Sequence, residues 1–249
     1  MLLENKAAVI YGAGGSIGGA VARAFAREAA WVFLAGRTQA TLEKVAEEIR
    51  ADGGVAETTI VDAFDEQSVD QYIDKIVEQT GHIDISFNLI GYGDVQEPLL
   101  EISVDDFLQP IANAMRTQFV TTRAAARHMV RSRSGVILHF GGGGPQTQPG
   151  LGGFKIALNA MEDLRRQWAV ELGPHGIRVL TMKTGGIPET IPETDPDREH
   201  IINNLLPATL LKRAATLTDV GKVAAFLASD HARTMTSTEV NISCGAIVD

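Results

Sequence analysis

The stretch AAVIYGAGGSIGGAVARAFAREA, residues 7–29, decides the fold. AAVIY (7–11) is a short run of apolar and β-branched residues, the pattern of a strand buried on both faces. IGGAVARAFAREA (17–29) then repeats apolar residues with helical spacing. Between them lie glycines at 12, 14 and 15, with Gly18 inside the start of the helix. A strand, a glycine turn and a helix in this order form a cradle for a pyrophosphate. The glycines let backbone come close to the ligand, and the helix N-terminus offers free N–H groups and a positive dipole end.

The same alternation continues along the chain. Strands are expected at 31–36, 56–62, 83–91, 135–140, 177–185 and 239–243. Helices are expected at 39–53, 65–81, 104–131, 154–173 and 218–229. Continuous apolar strands alternating with amphipathic helices predict a doubly wound parallel sheet of the Rossmann type, an α/β/α sandwich in three layers. No linker or composition break divides 1–249, so one domain is expected. The polar, Pro-rich excursion at 186–210 is too long for a plain connection, and it reads as a small substrate lobe.

Composition narrows the function. The chain of 249 residues is 45% hydrophobic and 21% charged, which supports a full core. Its formal net charge of −9 argues against a nucleic-acid partner, whose phosphates favour a basic face. No run approaches the length of a membrane span, and the N-terminus lacks a secretory pattern. A cytoplasmic protein acting on a small-molecule substrate is therefore expected. The single cysteine, Cys244, allows neither an internal disulfide nor a cysteine-cluster metal site, and no metal is expected. Buried filler is its expected role.

In a doubly wound sheet, ligands lie at the carboxyl ends of the strands. The residues expected to line a dinucleotide are Gly12, Gly14, Gly15, Ser16, Ile17 and Gly18 at the first turn. Asp62 and Ala63 follow the third strand, Asn88 and Gly91 the fourth, and Gly185 and Ile187 the sixth. The second strand ends in AGRT. Gly36 leaves room and Arg37 supplies a planar cation for a 2′-phosphate, where an acidic residue would select the free ribose. NADP(H) is accordingly expected in preference to NAD(H).

Taken together, several segments resemble the short-chain dehydrogenase/reductase family over essentially the whole chain. They are GAGGSIG at the first turn, VDAFDEQSV after the third strand and IDISFNLIG at the fourth. TTRAAARHM follows on the fourth helix, then Lys155 with WAVELGPHGIRV behind it, and VAAFLASDHARTMTSTEVNISCG near the end. The resemblance implies a nicotinamide dinucleotide, hydride transfer, and a homotetramer or homodimer built on the fourth and fifth helices. The G-x-x-G-x-x-G spacing of Gly12, Gly15 and Gly18 looks like that of the family's extended members, since Ser16 stands where short members carry a glycine.

The catalytic positions depart from the family. The resemblance implies a tyrosine four residues before the lysine, where this chain has Leu151. It implies an oxygen-polarising serine after the fifth strand, where Gly142 stands, and an asparagine on the fourth helix, where Ala114 stands beside Asn113. The seven-residue spacing of enoyl reductases falls on Gln148. Only Lys155 matches. Of the three tyrosines, Tyr92 is the one near the expected cofactor site, and it is the candidate replacement acid. His139 reads as a core histidine and His128 as a helix-end or solvent residue. Glu189, Glu193, Asp195, Asp197 and His200 could line the lobe. Three functions remain open: an oxidoreductase with a non-standard catalytic set, a catalytically inactive dinucleotide-binding or regulatory protein of the same fold, and a different enzyme that uses the scaffold without redox turnover, such as a lyase or isomerase.

Overall fold

The computed structural model describes residues 1–248. Seven strands form one parallel sheet: β1 (Ala7–Tyr11), β2 (Trp31–Gly36), β3 (Val55–Ile60), β4 (Ile85–Asn88), β5 (Gly135–Phe140), β6 (Ile177–Lys183) and β7 (Thr238–Asn241). Their order is β3-β2-β1-β4-β5-β6-β7, with β1 paired to both β2 and β4. The chain reverses its direction of winding at the β1–β4 junction. Loops leaving the carboxyl ends of those two strands diverge there and open a crevice.

Among the described residues, α1 (Ser16–Arg27), α2 (Gln39–Ala51), α3 (Glu66–Thr80), α4 (Val104–Ser132), α5 (Gly152–Leu172) and α7 (Leu217–Ala228) cover the sheet, and α6 (Arg198–Ala208) lies in the segment after β6. Side chains alternate across each strand. Ala8 and Ile10 of β1 thus join a core with Val21 and Phe25 of α1, Leu42 of α2 and Val220 of α7. Ala7, Val9 and Tyr11 join the opposite core with Val69 and Ile73 of α3, Val120 of α4 and Ala169 of α5. Phe25, Ile10 and Ile73 are all fully buried, each contributing roughly 1.5–3 kcal/mol of apolar transfer energy.

Polar residues fix where the helices begin. The Asp65 carboxylate accepts the Gln67 N–H at 3.0 Å and starts α3, and Gly81 at φ +83° ends it. Thr216 and Asp219 cap one another's backbone N–H groups at the start of α7. Ser103 accepts the Asp106 N–H at 3.1 Å and starts α4. These are the bonds that stand in for missing intrahelical partners.

Residues 186–210, expected as a polar excursion forming a small lobe, carry secondary structure of their own. They contain a short 3-10 turn at Pro188–Thr190 and the helix α6. None of the α6 residues is buried, although Ile201, Ile202, Leu205 and Leu206 recur at helical spacing in REHIINNLLPA. Cys244 is half-buried rather than core filler, in the turn after β7 at φ +55°.

Candidate active site

The first wall of the crevice is the turn from β1 to α1. Gly12 N–H donates to Ala35 O at 2.9 Å, and Gly15 N–H donates to Gly12 O at 3.1 Å. The chain folds back so closely that a Cβ on Gly18 would fall 2.2 Å from Gly12 O. Gly18 must therefore be glycine for α1 to begin beneath the turn. Gly15, the residue preceding α1, is exposed and brings no side-chain cap. The first N–H groups of the helix, at Ser16, Ile17 and Gly18, are left to a ligand. Gly14 lies against Thr41, its added Cβ 2.3 Å from Thr41 Oγ1. These are the features of an anion cradle, and they fit a dinucleotide pyrophosphate.

The neighbouring strand ends supply the rest of the wall. Gly36 closes β2, and Arg37 follows it exposed. Asp62 is exposed after β3, with its carboxylate accepting the Phe64 N–H at 3.0 Å, and Ala63 is buried beside it. Asn88 ends β4 buried. Its amide donates to Thr121 Oγ1 at 3.0 Å while its side-chain oxygen accepts the Ile90 N–H at 3.0 Å. Asn88 thereby fixes the path of the loop that carries Gly91, which is exposed to open space. Gly185 and Ile187 follow β6, Gly185 half-buried against Ala246 and Ile187 buried.

Tyr92 follows Gly91 but turns inward. It is 7% exposed, and its hydroxyl donates to the Phe140 carbonyl at 2.9 Å. Burial pushes its pKa above the ordinary phenol value. Asn113 of α4 holds the Tyr92 backbone by donating to its carbonyl at 2.8 Å, and Ala114 packs in the same small cluster.

Beyond β5 the chain makes a glycine turn at 141–144. Leu151 stands half-buried at the N-cap of α5, and α5 begins at Gly152, earlier than expected. Lys155 consequently lies in the first helical turn. Its Nζ donates to Gly144 O at 2.6 Å. Desolvation lowers its pKa, Glu239 opposes that shift and Lys183 adds to it. Asn159, one turn on, accepts the Gly144 N–H at 3.2 Å.

Beneath this turn lies a set of charges that sequence reasoning missed. Lys183 Nζ pairs with Glu239 Oε2 at 2.9 Å, the lysine side chain being 2% exposed and the glutamate 17%. Burial pushes the Glu162 pKa up, and the neighbouring Glu239 carboxyl adds to that shift. Glu162 in turn accepts from Arg165 Nε at 2.9 Å. The available signals were a lysine ending the apolar strand IRVLTMK and a glutamate seven residues after Lys155, on the same helix face. His139 is a core histidine, as expected, with Nε2 3.3 Å from Thr122 Oγ1.

The acidic lobe residues serve local structure. Glu189 accepts the Leu217 N–H, and Asp195 accepts the Asp197 N–H at 2.9 Å. His200 meets Asn204 at 3.0 Å, and His128 pairs with Asp74 at 2.7 Å. Among the described residues, no group of three or more His, Cys, Asp or Glu side chains is placed to hold a metal ion, and no helix is long and apolar enough to cross a membrane.

Residues 12–246 match the family model described as enoyl-(acyl carrier protein) reductase. An uncharacterised oxidoreductase of Bacillus subtilis is 30% identical over 250 residues, covering 98% of this chain and 91% of that protein. The meso-2,3-butanediol dehydrogenase of Serratia marcescens is 29% identical over 260 residues, covering 99% and 96%. A crystal structure of a dehydrogenase/reductase from Sinorhizobium meliloti superimposes with a TM-score of 0.87 at 28% identity, over 99% of this chain and 96% of that one. That of an NAD+-bound xylitol dehydrogenase superimposes with a TM-score of 0.89 at 24% identity, over 98% and 100%, a likeness of fold. With its parallel sheet, its glycine turn and these relatives, the chain belongs to the short-chain dehydrogenase/reductase family of oxidoreductases, which bind a nicotinamide dinucleotide.

Proposed function

We propose that this chain binds NADP(H) and transfers hydride to or from a small organic substrate, using a catalytic set without the family's serine and tyrosine. The observation that carries this reading is the glycine cradle at the carboxyl end of β1, with exposed Arg37 at the end of β2. Gly12, Gly14, Gly15 and the N–H groups of Ser16, Ile17 and Gly18 hold the pyrophosphate, and Arg37 meets the 2′-phosphate. Asp62 and Ala63 meet the adenine edge. Asn88, Gly91, Lys155, Gly185 and Ile187 border the nicotinamide half. When bound, the dinucleotide supplies the hydride, and the protein contributes positioning and charge.

Titration of the protein with NADPH and with NADH, followed by nicotinamide fluorescence, tests the cofactor assignment. Tighter binding of NADPH supports it, and no binding of either overturns it. Turnover is then sought with butane-2,3-dione, the corresponding diol, xylitol and an enoyl thioester, a panel suggested by the relatives' names and the family description.

The second reading is an inactive dinucleotide-binding protein. Leu151 at the tyrosine position and the inward-facing Tyr92 hydroxyl favour it. Dinucleotide binding without turnover across that panel is its signature. A homodimer or homotetramer built on α4 and α5 is also proposed. Phe119 of α4 and Val170 of α5 are 41% and 72% exposed, and Phe119 lies with its ring centroid 5.5 Å from that of Trp168. Light scattering checks the assembly, and F119E returns it to a monomer.

A further inference from the structure

The helix α4 is fixed to the sheet along its middle. The Thr121 hydroxyl accepts from the Asn88 amide at 3.0 Å, and Val120 is buried in the core that α4 shares with α3. Toward α3 the same helix presents a column of basic side chains. Arg123 pairs with Glu66, Arg127 with Asp70 at 2.6 Å and His128 with Asp74 at 2.7 Å. Glu66, Asp70 and Asp74 recur at four-residue spacing and so share one face of α3. Such pairs near solvent add little stability. Arg116, seven residues before Arg123, continues the column past the start of α3. There its Nε donates to a backbone oxygen, the Phe64 carbonyl, at 2.8 Å.

Phe64 belongs to the turn that follows β3. Within that turn the Phe64 N–H donates to the Asp62 carboxylate at 3.0 Å and the Asp65 N–H to Asp62 O at 3.0 Å. β3 is an edge strand, so β2 alone flanks it in the sheet, and the Val61 N–H donates to Gly36 O at 3.0 Å. The internal bonds shape the turn, and Arg116 ties it across to α4. One turn of helix earlier, the Asn113 amide holds the Tyr92 carbonyl beside Gly91 at 2.8 Å. The first half of α4 thus grips the loops at the ends of β3 and β4, with the glycine turn of β1 between them.

We propose that Arg116 is a positioning residue for the adenine half of the dinucleotide: it holds the Phe64 carbonyl and so sets Asp62 and Ala63 against the base. This inference rests on the dinucleotide reading above and adds the device that fixes the adenine edge. The chemistry suits the task. A bond from guanidinium to carbonyl is charge-assisted, and the planar fork fixes direction as well as distance. The Asp62 carboxylate, having accepted the Phe64 N–H, keeps lone pairs for a donor on the base. A turn already held in place loses less freedom when the base arrives, which raises affinity.

The test measures binding of NADPH and of reduced nicotinamide mononucleotide by nicotinamide fluorescence, and of adenosine 2′,5′-bisphosphate by calorimetry. R116M keeps the side-chain stem and removes the donor. R116K restores a cationic donor, and R127A removes a lower rung of the same column. Expected in R116M is a loss of affinity of about tenfold for NADPH and for the bisphosphate, with the mononucleotide within about twofold of the wild type. R116K is expected to recover most of that loss, and R127A to bind all three ligands as the wild type does. Amide hydrogen exchange of residues 61–66 is expected to rise in R116M and not in R127A.

Unchanged affinity for NADPH and the bisphosphate in R116M overturns the inference. An equal loss for the mononucleotide, or an equal loss in R127A, overturns it too, since either marks a general loosening of α4 against α3. Wild-type protein that binds no dinucleotide overturns the underlying functional reading instead.

Discussion

Lys155 Nζ donates to Gly144 O at 2.6 Å, which ties the first turn of α5 to the glycine turn after β5. A charge-assisted bond of this kind contributes about 1.5–3 kcal/mol. Lys155→Ala is expected to loosen residues 141–150, raising their amide hydrogen exchange, and to weaken NADPH binding about tenfold or more. Unchanged exchange and unchanged affinity would remove Lys155 from the site.

Arg37 stands exposed at the end of β2, beside a glycine that leaves space for a phosphate. Arg37→Asp replaces an attractive cation with a carboxylate that repels the 2′-phosphate and bonds a free ribose. The ratio of NADPH to NADH dissociation constants should shift by about a hundredfold toward NADH. An unaltered ratio would sink the NADP(H) assignment.

The Tyr92 hydroxyl is committed to the Phe140 carbonyl at 2.9 Å. Tyr92→Phe should lower stability by about 1 kcal/mol, seen as a lower urea midpoint with an unchanged slope. NADPH affinity should stay as in the wild type. A loss of turnover of about a hundredfold at unchanged stability would make the hydroxyl the proton donor after all.

Burial, with a smaller contribution from Arg165, pushes His139 down to about 3. The unfolded imidazole titrates near pH 6.5, so between about pH 6.5 and 3 the unfolded chain binds a proton that the folded chain does not. Stability from this site is complete above about pH 6.5 and declines as the pH falls, by a few kcal/mol over the whole window. Urea denaturation from pH 7 to 4.5 should show that slope, and His139→Gln should flatten it.

Gly153 lies where α5 touches α4, and an added Cβ would come 1.8 Å from Phe107 O. Gly153→Ala must push the helices apart. It should cost about 1–3 kcal/mol of stability. A variant as stable as the parent would show that the two helices are free to separate.

The fold was legible because strand and helix periods differ and the strands are buried on both faces. AAVIY, WVFLAG and GVILHF became β1, β2 and β5 at the expected bounds. The ends of β3 and β4 were overextended, because polar loop residues such as Asp62 and apolar ones such as Ile90 continue the local pattern while pairing stops. α6 was missed because its apolar residues, Ile201, Ile202, Leu205 and Leu206, fall in one short polar stretch between Pro196 and Pro207. Within the candidate site, the spacing put the glycine turn and the strand ends at one edge of the sheet, and the sheet order brings them together there. The Lys183–Glu239–Glu162–Arg165 chain was not legible, because it joins β6, β7 and α5. Only the sheet order β5-β6-β7 brings residues more than fifty positions apart under one turn.

A Cβ built on Gly142, in the glycine turn after β5, would lie 2.5 Å from Lys183 Cβ, and this steric exclusion constrains descent. A change from glycine to serine at 142 meets the lysine stem and is disfavoured on its own. A smaller residue at 183 must come first, and it leaves Glu239 without its cation until the serine arrives. Any route between this site and a serine-bearing one therefore has a fixed order of steps and a handicapped intermediate. Packing alone therefore ties the residue at 142 to the residue at 183.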